Sequence, residues 1–475
     1  MGRRVVIDPV TRIEGHAKIT ILLDDAGEVL DARLHVTELR GFEKLCEGRS
    51  FRELPALTSR VCGICPVSHA LASSMAGDRI LAVEVPEPAR LLRRVLNLAQ
   101  LVQSHALSFF HLSGPDLFLG FEADPRRRNL PGLAAERPEL ARDGIRLRRF
   151  GQEAIEALTG RRIHAEWTVP GGVLRPLSRE ARERIRAGLP EAIRLAQRTL
   201  AAWKATSEGW REEAAAFGTF PSLFLGMVGE DGTLEHTEGK LRFVDERGRT
   251  VADGIDPARW REWISEAAEP DSYLKSPFFR PLGRPAGMYR VGPLARLNVA
   301  SRCGTPLADV ELAELRRDGD GPVLSSFLAH HARLVEILFA LERLEVLLED
   351  PAVLSDDVRS VAARNRSRGV GVCEAPRGTL FHDYEVDRDG LVTRAELLVA
   401  TGQNALAMNR TVAQIARRYV AGGKLAEGLL NRVEAGIRAF EPCLSCSTHA
   451  AGKMPLRVEL VAPDGAVLDR LERSS

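Results

Sequence analysis

The feature that most constrains this chain is a pair of cysteine turns near opposite ends of its sequence. One Cys-x-x-Cys turn spans 62–65 and is followed by His69, and the other spans 443–446 and is followed by His449. Two such turns supply four soft thiolates, which are typical of zinc, iron-sulfur and other thiolate-bound redox sites. The sequence therefore predicts that the two ends of the chain meet around one metal site. Its predicted ligands are Cys62, Cys65, Cys443 and Cys446.

Structural zinc is the first alternative, because tetrathiolate sites are most often structural zinc sites. The cysteine pairs of such sites usually lie about 15 to 20 residues apart, whereas nearly the whole chain separates Cys65 from Cys443. A protein longer than roughly 250 residues also buries a sufficient core without a zinc clamp. The spacing favours a buried functional metal centre over structural zinc, and it does not identify the metal.

Hydrophobic periodicity predicts a predominantly helical α+β chain. Residues 4–40 alternate as strands do around a turn at 24–27, which predicts an N-terminal hairpin or small sheet. Helical spacing predicts a helix over 89–113 that Gly114-Pro115 ends, two long amphipathic helices within 179–217 and a further helix over about 323–349. No composition shift marks a boundary between these segments. We expect one large domain with small peripheral β-sheets and hairpins.

Charge and apolar runs exclude several partners. The chain has 66 Lys and Arg against 65 Asp and Glu, a net charge of +1, so neither nucleic acid nor an anionic membrane is an expected partner. The apolar run at 5–7 is too short for a secretory signal, and no run approaches the length of a membrane span. We therefore expect a cytoplasmic protein with no membrane span.

The other three cysteines are isolated in sequence. They are Cys46, Cys303 and Cys373. Seven cysteines in a long cytosolic chain favour ligands and free thiols over disulfides. We expect these three to be buried apolar fillers, since an iron-sulfur cluster usually takes four cysteines.

The motifs around the cysteine turns resemble those of the large, catalytic subunit of nickel-iron hydrogenases. The resemblance runs from about Val5 to Pro455. It is carried by PVTRIEGH (9–16), RGFE (40–43), RVCGICPVSH (60–69), EAPRG (374–378), ATGQN (400–404) and PCLSCSTH (442–449). FGTFP (217–221) and YRVGPLARLN (289–298) are similar to the cytoplasmic bidirectional branch, especially its NAD-reducing members. The resemblance implies that family's large-subunit fold and reversible splitting of dihydrogen.

The resemblance assigns metal ligands. Cys62 and Cys443 would be terminal ligands of nickel, and Cys65 and Cys446 would bridge nickel to an iron that carries carbon monoxide and cyanide. A separate magnesium or iron ion near the C-terminus would be bound by the residues Glu43 and His449. Thiolates suit nickel because they are soft ligands.

It also assigns catalytic and supporting residues. Cys443 would be the first base for the proton of dihydrogen, and Glu14 would be a buried proton carrier whose raised pKa suits a two-way relay. Arg377 would lie over the open face of the metals, where its charge orients dihydrogen or stabilises developing charge. The supporting residues would be His69 beside a bridging sulfur, Asp116 near the active-site canopy and Thr401 hydrogen-bonded to a cyanide.

One residue departs from the family pattern. Glu441 stands where the family usually has aspartate before the Pro-Cys pair. The extra methylene keeps the charge but moves it, which affects the hydrogen bonding above the metals and the proton route.

The resemblance further implies processing at the C-terminus. Cleavage between His449 and Ala450 by a maturation endopeptidase, after nickel insertion by accessory proteins, would leave 1–449 as the mature catalytic domain. The extension 450–475 contains a hairpin-like stretch at 458–465. We expect the uncut precursor to be inactive.

Electron transfer would require partner subunits. The isolated cysteines cannot form a chain of clusters, so an iron-sulfur small subunit is expected, and in the NAD-reducing branch a diaphorase module as well. No Gly-x-Gly-x-x-Gly follows a predicted strand, so NAD would bind a partner. The alternatives are coupling to NADP, a deazaflavin or heterodisulfide reductase. A non-catalytic subunit related to respiratory complex I is a further alternative, but it would lack the four cysteines.

Overall fold

The computed structural model confirms a predominantly helical α+β chain, about 49% helix and about 21% strand. It describes residues 3–37, 41–269, 272–317, 319, 321–420, 426–446, 456–461 and 466–473. The strands are β1 Arg3–Asp8, β2 Ala17–Leu23, β3 Val29–Val36, β4 Thr168–Val169, β5 Gly172–Val173, β6 Leu223–Val228, β7 Lys240–Val244, β8 Thr250–Ile255, β9 Ile264–Glu269, β10 Ser272–Phe279, β11 Tyr289–Arg290, β12 Arg368–Ala375, β13 Gly378–Val386, β14 Val392–Leu398, β15 Leu456–Val461 and β16 Val467–Arg473. The helices are α1 Phe42–Cys46, α2 Leu54–Ser59, α3 Pro66–Leu81, α4 Glu87–Ala106, α5 Gly114–Leu119, α6 Leu130–Glu136, α7 Pro138–Thr159, α8 Arg179–Ser207, α9 Arg211–Ala216, α10 Pro293–Val299, α11 Pro306–Leu315, α12 Ala329–Glu349, α13 Ala400–Gln403, α14 Ala405–Tyr419 and α15 Glu427–Arg438.

Four long helices, α4, α7, α8 and α12, pack against one another and form the main core. The predicted helix over 89–113 begins at Glu87 and passes through a π-helix at 107–113 into α5. The expectation that Gly114-Pro115 ends it was wrong, because proline is tolerated in the first turn of a helix.

Two other helix predictions had incorrect boundaries. The region 179–217 holds one long helix, α8, which accommodates Pro190, followed by the short α9. The helix predicted from about 323 begins at Ala329, after a 3-10 turn at Ser326–Leu328. The first error concerns number and length, because one long and one short helix stand where two long helices were predicted. The second lies at a helix end, where apolar periodicity alone carries little information.

The predicted N-terminal hairpin is present as β2 and β3, joined by a turn in which the Asp24 N–H donates to the Glu28 carbonyl at 2.9 Å. Strand β1 pairs antiparallel with β2 on one side and with β15 on the other. The full sheet has the order β16-β15-β1-β2-β3. The predicted C-terminal hairpin is therefore present, and it supplies two of the five strands.

A three-stranded sheet, β12-β13-β14, carries the turn that contains Arg377. Helix α3 packs across β12 and β13. Helix α3 can lie this close to β12 only because the strand has glycine there, since a Cβ at Gly371 would lie 1.9 Å from the Ala72 carbonyl oxygen. This packing brings the N-terminal end of α3, where Cys65 lies, close to the Arg377 turn.

Among the described residues, no helix combines the length and the apolar character that crossing a bilayer requires.

Candidate metal centre

The first cysteine turn leads directly into α3. Cys65 is the N-cap residue of this helix. The N–H groups of Ile64 and Cys65 point at the Cys62 sulfur, at 3.2 and 3.4 Å. The side-chain amides of Gln100 and Gln103, on α4, both donate to the Ile64 carbonyl, at 2.8 and 2.9 Å. The turn is thereby fixed by its own backbone and by one neighbouring helix.

The second cysteine turn follows α15 and rests on distant parts of the chain. The Cys443 N–H donates to the Thr401 hydroxyl at 2.9 Å. The Leu444 N–H donates to the Glu14 carbonyl at 3.0 Å, and the Ser445 N–H donates to the Glu14 carboxylate at 2.9 Å. The Ser445 hydroxyl donates to the same carboxylate. The Arg-Ile-Glu-Gly-His segment thus holds the second turn in place.

The four sulfurs of the two turns meet in the interior, as the sequence predicts. Cys62 Sγ lies 3.2 Å from Cys443 Sγ, and Cys65 Sγ lies 3.4 Å from Cys446 Sγ. The Cys443 and Cys446 sulfurs are 2.8 Å apart. All four atoms lie within 4.8 Å of one another, and all four residues are buried. One metal centre can contact every sulfur.

Three thiols of this cluster have shifted pKa values. Burial and the neighbouring thiols raise the pKa of Cys443 well above its ordinary value, and burial is the main cause of the raised pKa of Cys446. Hydrogen bonds from Cys443, Cys446 and Cys62 lower the pKa of Cys65 well below its ordinary value, against the effect of burial. Four adjacent thiolates therefore need a cation between them.

A buried ion-pair group adjoins the sulfurs. Arg377 donates from Nη2 to the Glu441 carboxylate at 2.7 Å and from Nε to the Glu441 carbonyl at 2.9 Å. Arg333 donates from Nε to the same carboxylate at 3.2 Å. Burial by itself lowers the pKa of Arg377, but Glu441 and the thiols of Cys443 and Cys65 hold it well above its ordinary value. Arg377 is therefore a permanent cation facing the sulfurs.

The donor set fits a thiolate-bound redox metal. Within the described part of the chain, these four cysteines are the only group of candidate ligands that clusters in this way, and soft sulfur suits nickel and iron better than harder cations. The Nη1 atoms of Arg377 and Arg333 are buried without a hydrogen-bond partner among the described residues. Such donors are typical of a site that receives a polar group.

Family models match most of the chain. A model described as HoxL-like matches residues 4–39, and one described as nickel-dependent hydrogenase matches 40–126 and 234–449. The chain belongs to the nickel-dependent hydrogenase family. The buried four-cysteine cluster is consistent with the nickel-iron site of that family.

Individual relatives agree with this assignment. The chain is 40% identical to the beta subunit of the NAD-reducing hydrogenase HoxS of Cupriavidus necator, with 100% of each chain covered. It is 39% identical to one subunit of the F420-non-reducing hydrogenase vhu of Methanocaldococcus jannaschii, in a match that covers 88% of this chain and 99% of the relative.

Solved structures give the same fold. A crystal structure of an NAD+-reducing [NiFe]-hydrogenase in the H2-reduced state matches with a TM-score of 0.92 and 44% identity, covering 94% of this chain and 99% of that one. The Ni-Fe-Se hydrogenase from D. vulgaris Hildenborough matches with a TM-score of 0.77 at 23% identity, covering 94% and 100%, and shows the shared fold alone.

The structure brings several predicted residues of this hydrogenase chain to the site. Thr401 contacts the Cys443 backbone, and His69 Nε2 lies 3.4 Å from Cys446 Sγ. Glu14 contacts the second turn, but it is half-buried, whereas a buried carboxyl was expected.

Asp116 occupies a different environment from the sulfurs. Its carboxylate lies 3.0 Å from Nε of Arg438 and also pairs with Arg12 and Arg128. The Asn431 side-chain amide donates to it at 2.9 Å. Burial raises the pKa of Asp116, but Arg438 and Arg12 outweigh that effect and lower it. Asp116 thus joins the segment containing Arg12 to α15, just before the second turn.

The second predicted ion site is only partly described. Glu43 lies half-buried in α1. Both His449 and Ala450 lie outside the described residues, so the magnesium or iron site and the cleavage point stay predictions. The isolated thiols Cys46, Cys303 and Cys373 are buried, as predicted. Burial raises the pKa of Cys46 to about 12, so it is an unreactive filler.

Sequence reasoning missed four side chains that support the site, namely Arg333, His382, Tyr384 and Ser445. Arg333 shares Glu441 with Arg377, and the Ser445 hydroxyl donates to Glu14. His382 and Tyr384 alternate along β13 immediately after the Arg377 turn. A His-x-Tyr pattern in a buried strand was a usable signal, because both side chains must point to one face.

Proposed function

We propose that this chain is the catalytic subunit of a nickel-iron hydrogenase that splits dihydrogen reversibly into protons and electrons. The observation that carries the proposal is the buried cluster of four cysteine sulfurs within 4.8 Å of one another. Cys62 and Cys443 would hold nickel, and Cys65 and Cys446 would bridge it to an iron bearing carbon monoxide and cyanide. When bound, this group supplies an open metal position at which dihydrogen is polarised.

The chain's own groups would then handle the proton. The Cys443 sulfur is the first acceptor, and the Glu14 carboxylate, held by the Ser445 N–H at 2.9 Å, is the next group outward. Because Glu14 is half-buried, it can exchange protons between the dry sulfur cluster and solvent. This order places proton release at the second cysteine turn.

Arg377 would stabilise charge above the sulfurs. Its guanidinium is held in one orientation by two hydrogen bonds to Glu441, at 2.7 and 2.9 Å. A fixed cation in a water-excluded site stabilises developing negative charge more strongly than it would in water. The longer side chain of Glu441, relative to the family's aspartate, still reaches Arg377 and also contacts Arg333. Thr401 would hydrogen-bond a cyanide, and Asp116 would support the canopy through Arg438.

The electrons would pass to an iron-sulfur small subunit, from which diaphorase subunits would use them to reduce NAD in the cytoplasm. One relative supports NAD as the acceptor. The Cupriavidus necator protein, which aligns over its whole length, is named as NAD-reducing. An F420-non-reducing hydrogenase from Methanocaldococcus jannaschii is nearly as similar, at 39% identity. An acceptor other than NAD is therefore the second candidate, namely NADP, a deazaflavin or heterodisulfide reductase, although the name of that relative speaks against the deazaflavin F420.

Maturation would involve nickel-insertion proteins and an endopeptidase that cuts between His449 and Ala450. The match to the nickel-dependent hydrogenase model ends at residue 449, which supports this position. Residue His449 would then bind a magnesium or iron ion together with Glu43.

The deciding experiment is an infrared spectrum of the purified complex containing the processed chain, with nickel, iron and zinc measured on the same sample. We expect bands from one carbon monoxide and two cyanides, and dihydrogen-dependent reduction of NAD. Absence of these bands with stoichiometric zinc would contradict the hydrogenase proposal. The expected bands with reduction of another acceptor alone would contradict only NAD coupling.

A further inference from the structure

A chain of hydrogen bonds leads away from the Cys446 sulfur. His69 Nε2 lies 3.4 Å from Cys446 Sγ, and His69 Nδ1 lies 3.1 Å from His382 Nε2. His382 Nδ1 lies 2.5 Å from the Tyr384 hydroxyl oxygen. That oxygen lies 3.1 Å from Ser73 Oγ. Four side chains thus connect one sulfur of the metal centre to a hydroxyl group in the core.

The periodicities of one helix and one strand align these side chains. His69 and Ser73 are four residues apart on α3, and His382 and Tyr384 are two residues apart on β13, so each pair shares a face. Helix α3 packs against β13. The four side chains are at most 1% exposed, so water does not compete for their hydrogen bonds.

The sulfur at the end of the chain sets the direction of donation. A metal-bound thiolate carries no proton and can only accept, so His69 donates to Cys446 from Nε2. The His69 Nδ1 and His382 Nε2 atoms are 3.1 Å apart, so one must donate and the other accept, and with one proton on each ring His69 accepts at Nδ1 from His382 Nε2. Burial lowers the pKa of His382 well below its ordinary value, so this ring is neutral and accepts at Nδ1 from Tyr384. The Tyr384 hydroxyl also contacts Ser73 Oγ, at 3.1 Å.

We propose that His382 and Tyr384 are positioning residues, which fix the ring orientation and tautomer of His69 so that it donates a hydrogen bond to the Cys446 sulfur. This inference rests on the proposed nickel-iron site, because the bound metal makes Cys446 an obligatory acceptor. Aligned hydrogen bonds strengthen one another in a dry interior. Hydrogen bonds to a metal-bound sulfur also tune the electron density at the metal. The chain from Ser73 to His69 would therefore draw electron density away from a metal centre held by Cys446.

Tyr384→Phe tests the proposal through the infrared spectrum of the purified complex. This variant leaves His382 Nδ1 without its donor and weakens the bond from His69 to the sulfur. A more electron-rich iron donates more density into its carbon monoxide, so we expect that band to shift by a few wavenumbers to lower frequency. Ser73→Ala, one bond further from the sulfur, is expected to give a smaller shift in the same direction.

Tyr289→Phe is the matched control. Tyr289 is equally buried, and its hydroxyl donates to Gln403 at 3.2 Å, outside this chain of hydrogen bonds. The substitution removes the buried hydrogen bond of the Tyr289 hydroxyl without affecting His69, so we expect the carbon monoxide and cyanide bands to keep their wild-type positions. Nickel and iron contents are measured for every variant.

The outcomes separate this inference from the proposed function. Bands at the wild-type position in both Tyr384→Phe and Ser73→Ala would overturn the positioning role alone. If Tyr384→Phe does not load metal, Ser73→Ala decides, since alanine favours the helix and keeps α3 intact. A wild-type complex without carbon monoxide and cyanide bands would overturn the nickel-iron proposal and this inference together.

Discussion

The two cysteine turns supply the same kind of ligand but are held in place differently. The first is fixed by uncharged groups close in sequence, its own N–H groups and two glutamine amides 36 and 39 positions away. The second is held by groups as far as 431 positions away, including the carboxylate of Glu14. The first turn can form with α3 and α4, whereas the second requires both ends of the chain to have packed.

The second turn is also surrounded by charge. The Arg377, Glu441 and Arg333 group adjoins it, and Asp116 with Arg438 lies at the preceding helix. Buried ion pairs tolerate little change, because removal of one partner leaves an uncompensated charge. We therefore expect the two turns to be equally necessary as ligands but unequal in their sensitivity to substitutions around them.

The largest expected effect is common to both turns. Cys65→Ser and Cys446→Ser each replace a soft thiolate with a hydroxyl that stays protonated, so each should abolish nickel-iron loading and hydrogen-dependent activity. Metal analysis and activity measurements check this result. Cys303→Ala, which removes a buried thiol outside the cluster, is the control and should keep its metal. Stoichiometric nickel in either serine variant would show that the turns are not equivalent ligands.

Glu441→Gln should produce the next largest effect, and only at the second turn. It leaves Arg377 and Arg333 buried without their shared carboxylate, which costs about 3 to 5 kcal/mol of unfolding free energy. Urea unfolding of the metal-free chain measures this loss. Glu441→Asp keeps the charge and is expected to lose less. Equal stability of the glutamine variant and the wild type would remove the electrostatic distinction between the turns.

A matched pair of hydrogen-bond deletions compares the two turns directly. Thr401→Val leaves the buried Cys443 N–H unpaired, which should lower the unfolding free energy by about 1 to 3 kcal/mol. Gln103→Leu removes one of two donors to the Ile64 carbonyl. Gln100 still donates to that carbonyl, so the unfolding free energy should fall by about 1 kcal/mol or less. Both values come from urea unfolding. A larger loss for Gln103→Leu would reverse the comparison.

Mild acid should have the smallest effect, and it should act through His330 of α12, whose charge interacts with Asp116 and with Arg438 on the helix that precedes the second turn. Burial, together with Arg333 and Arg438, lowers the pKa of His330 to about 3, from an ordinary value of about 6.5. The unfolded chain therefore binds a proton first as pH falls. This stabilising contribution is complete above about pH 6.5 and declines toward about pH 3, by at most about 1.4 kcal/mol per pH unit.

Hydrogen exchange followed between neutral and mildly acidic pH checks this expectation. Amides of α15 and the second turn should lose protection before those of the first turn, whose glutamine supports do not titrate. His330→Gln should flatten the pH dependence of unfolding. Equal loss of protection at both turns would mean that the charged groups do not weaken the second turn selectively.

Much of this site could be predicted from local sequence patterns. Cys-x-x-Cys spacing identified the four ligands, and alternation identified the hairpins, because the partners lie within a few residues of one another. Helix ends were less predictable. Gly114-Pro115 begins α5 although it was expected to end a helix, since proline suits a first turn as well as a loop.

By itself, the sequence determined the ligand chemistry, the predominance of helices and the likeness to nickel-iron hydrogenases, since residue type and short-range spacing encode all three. Only the tertiary structure decided that Glu441 would join Arg377 to Arg333, and that β15 would pair with β1. It alone placed His382 and Tyr384 behind His69. Those contacts join residues that are far apart in sequence, and they exist because burial forces each polar group to find a partner wherever packing supplies one.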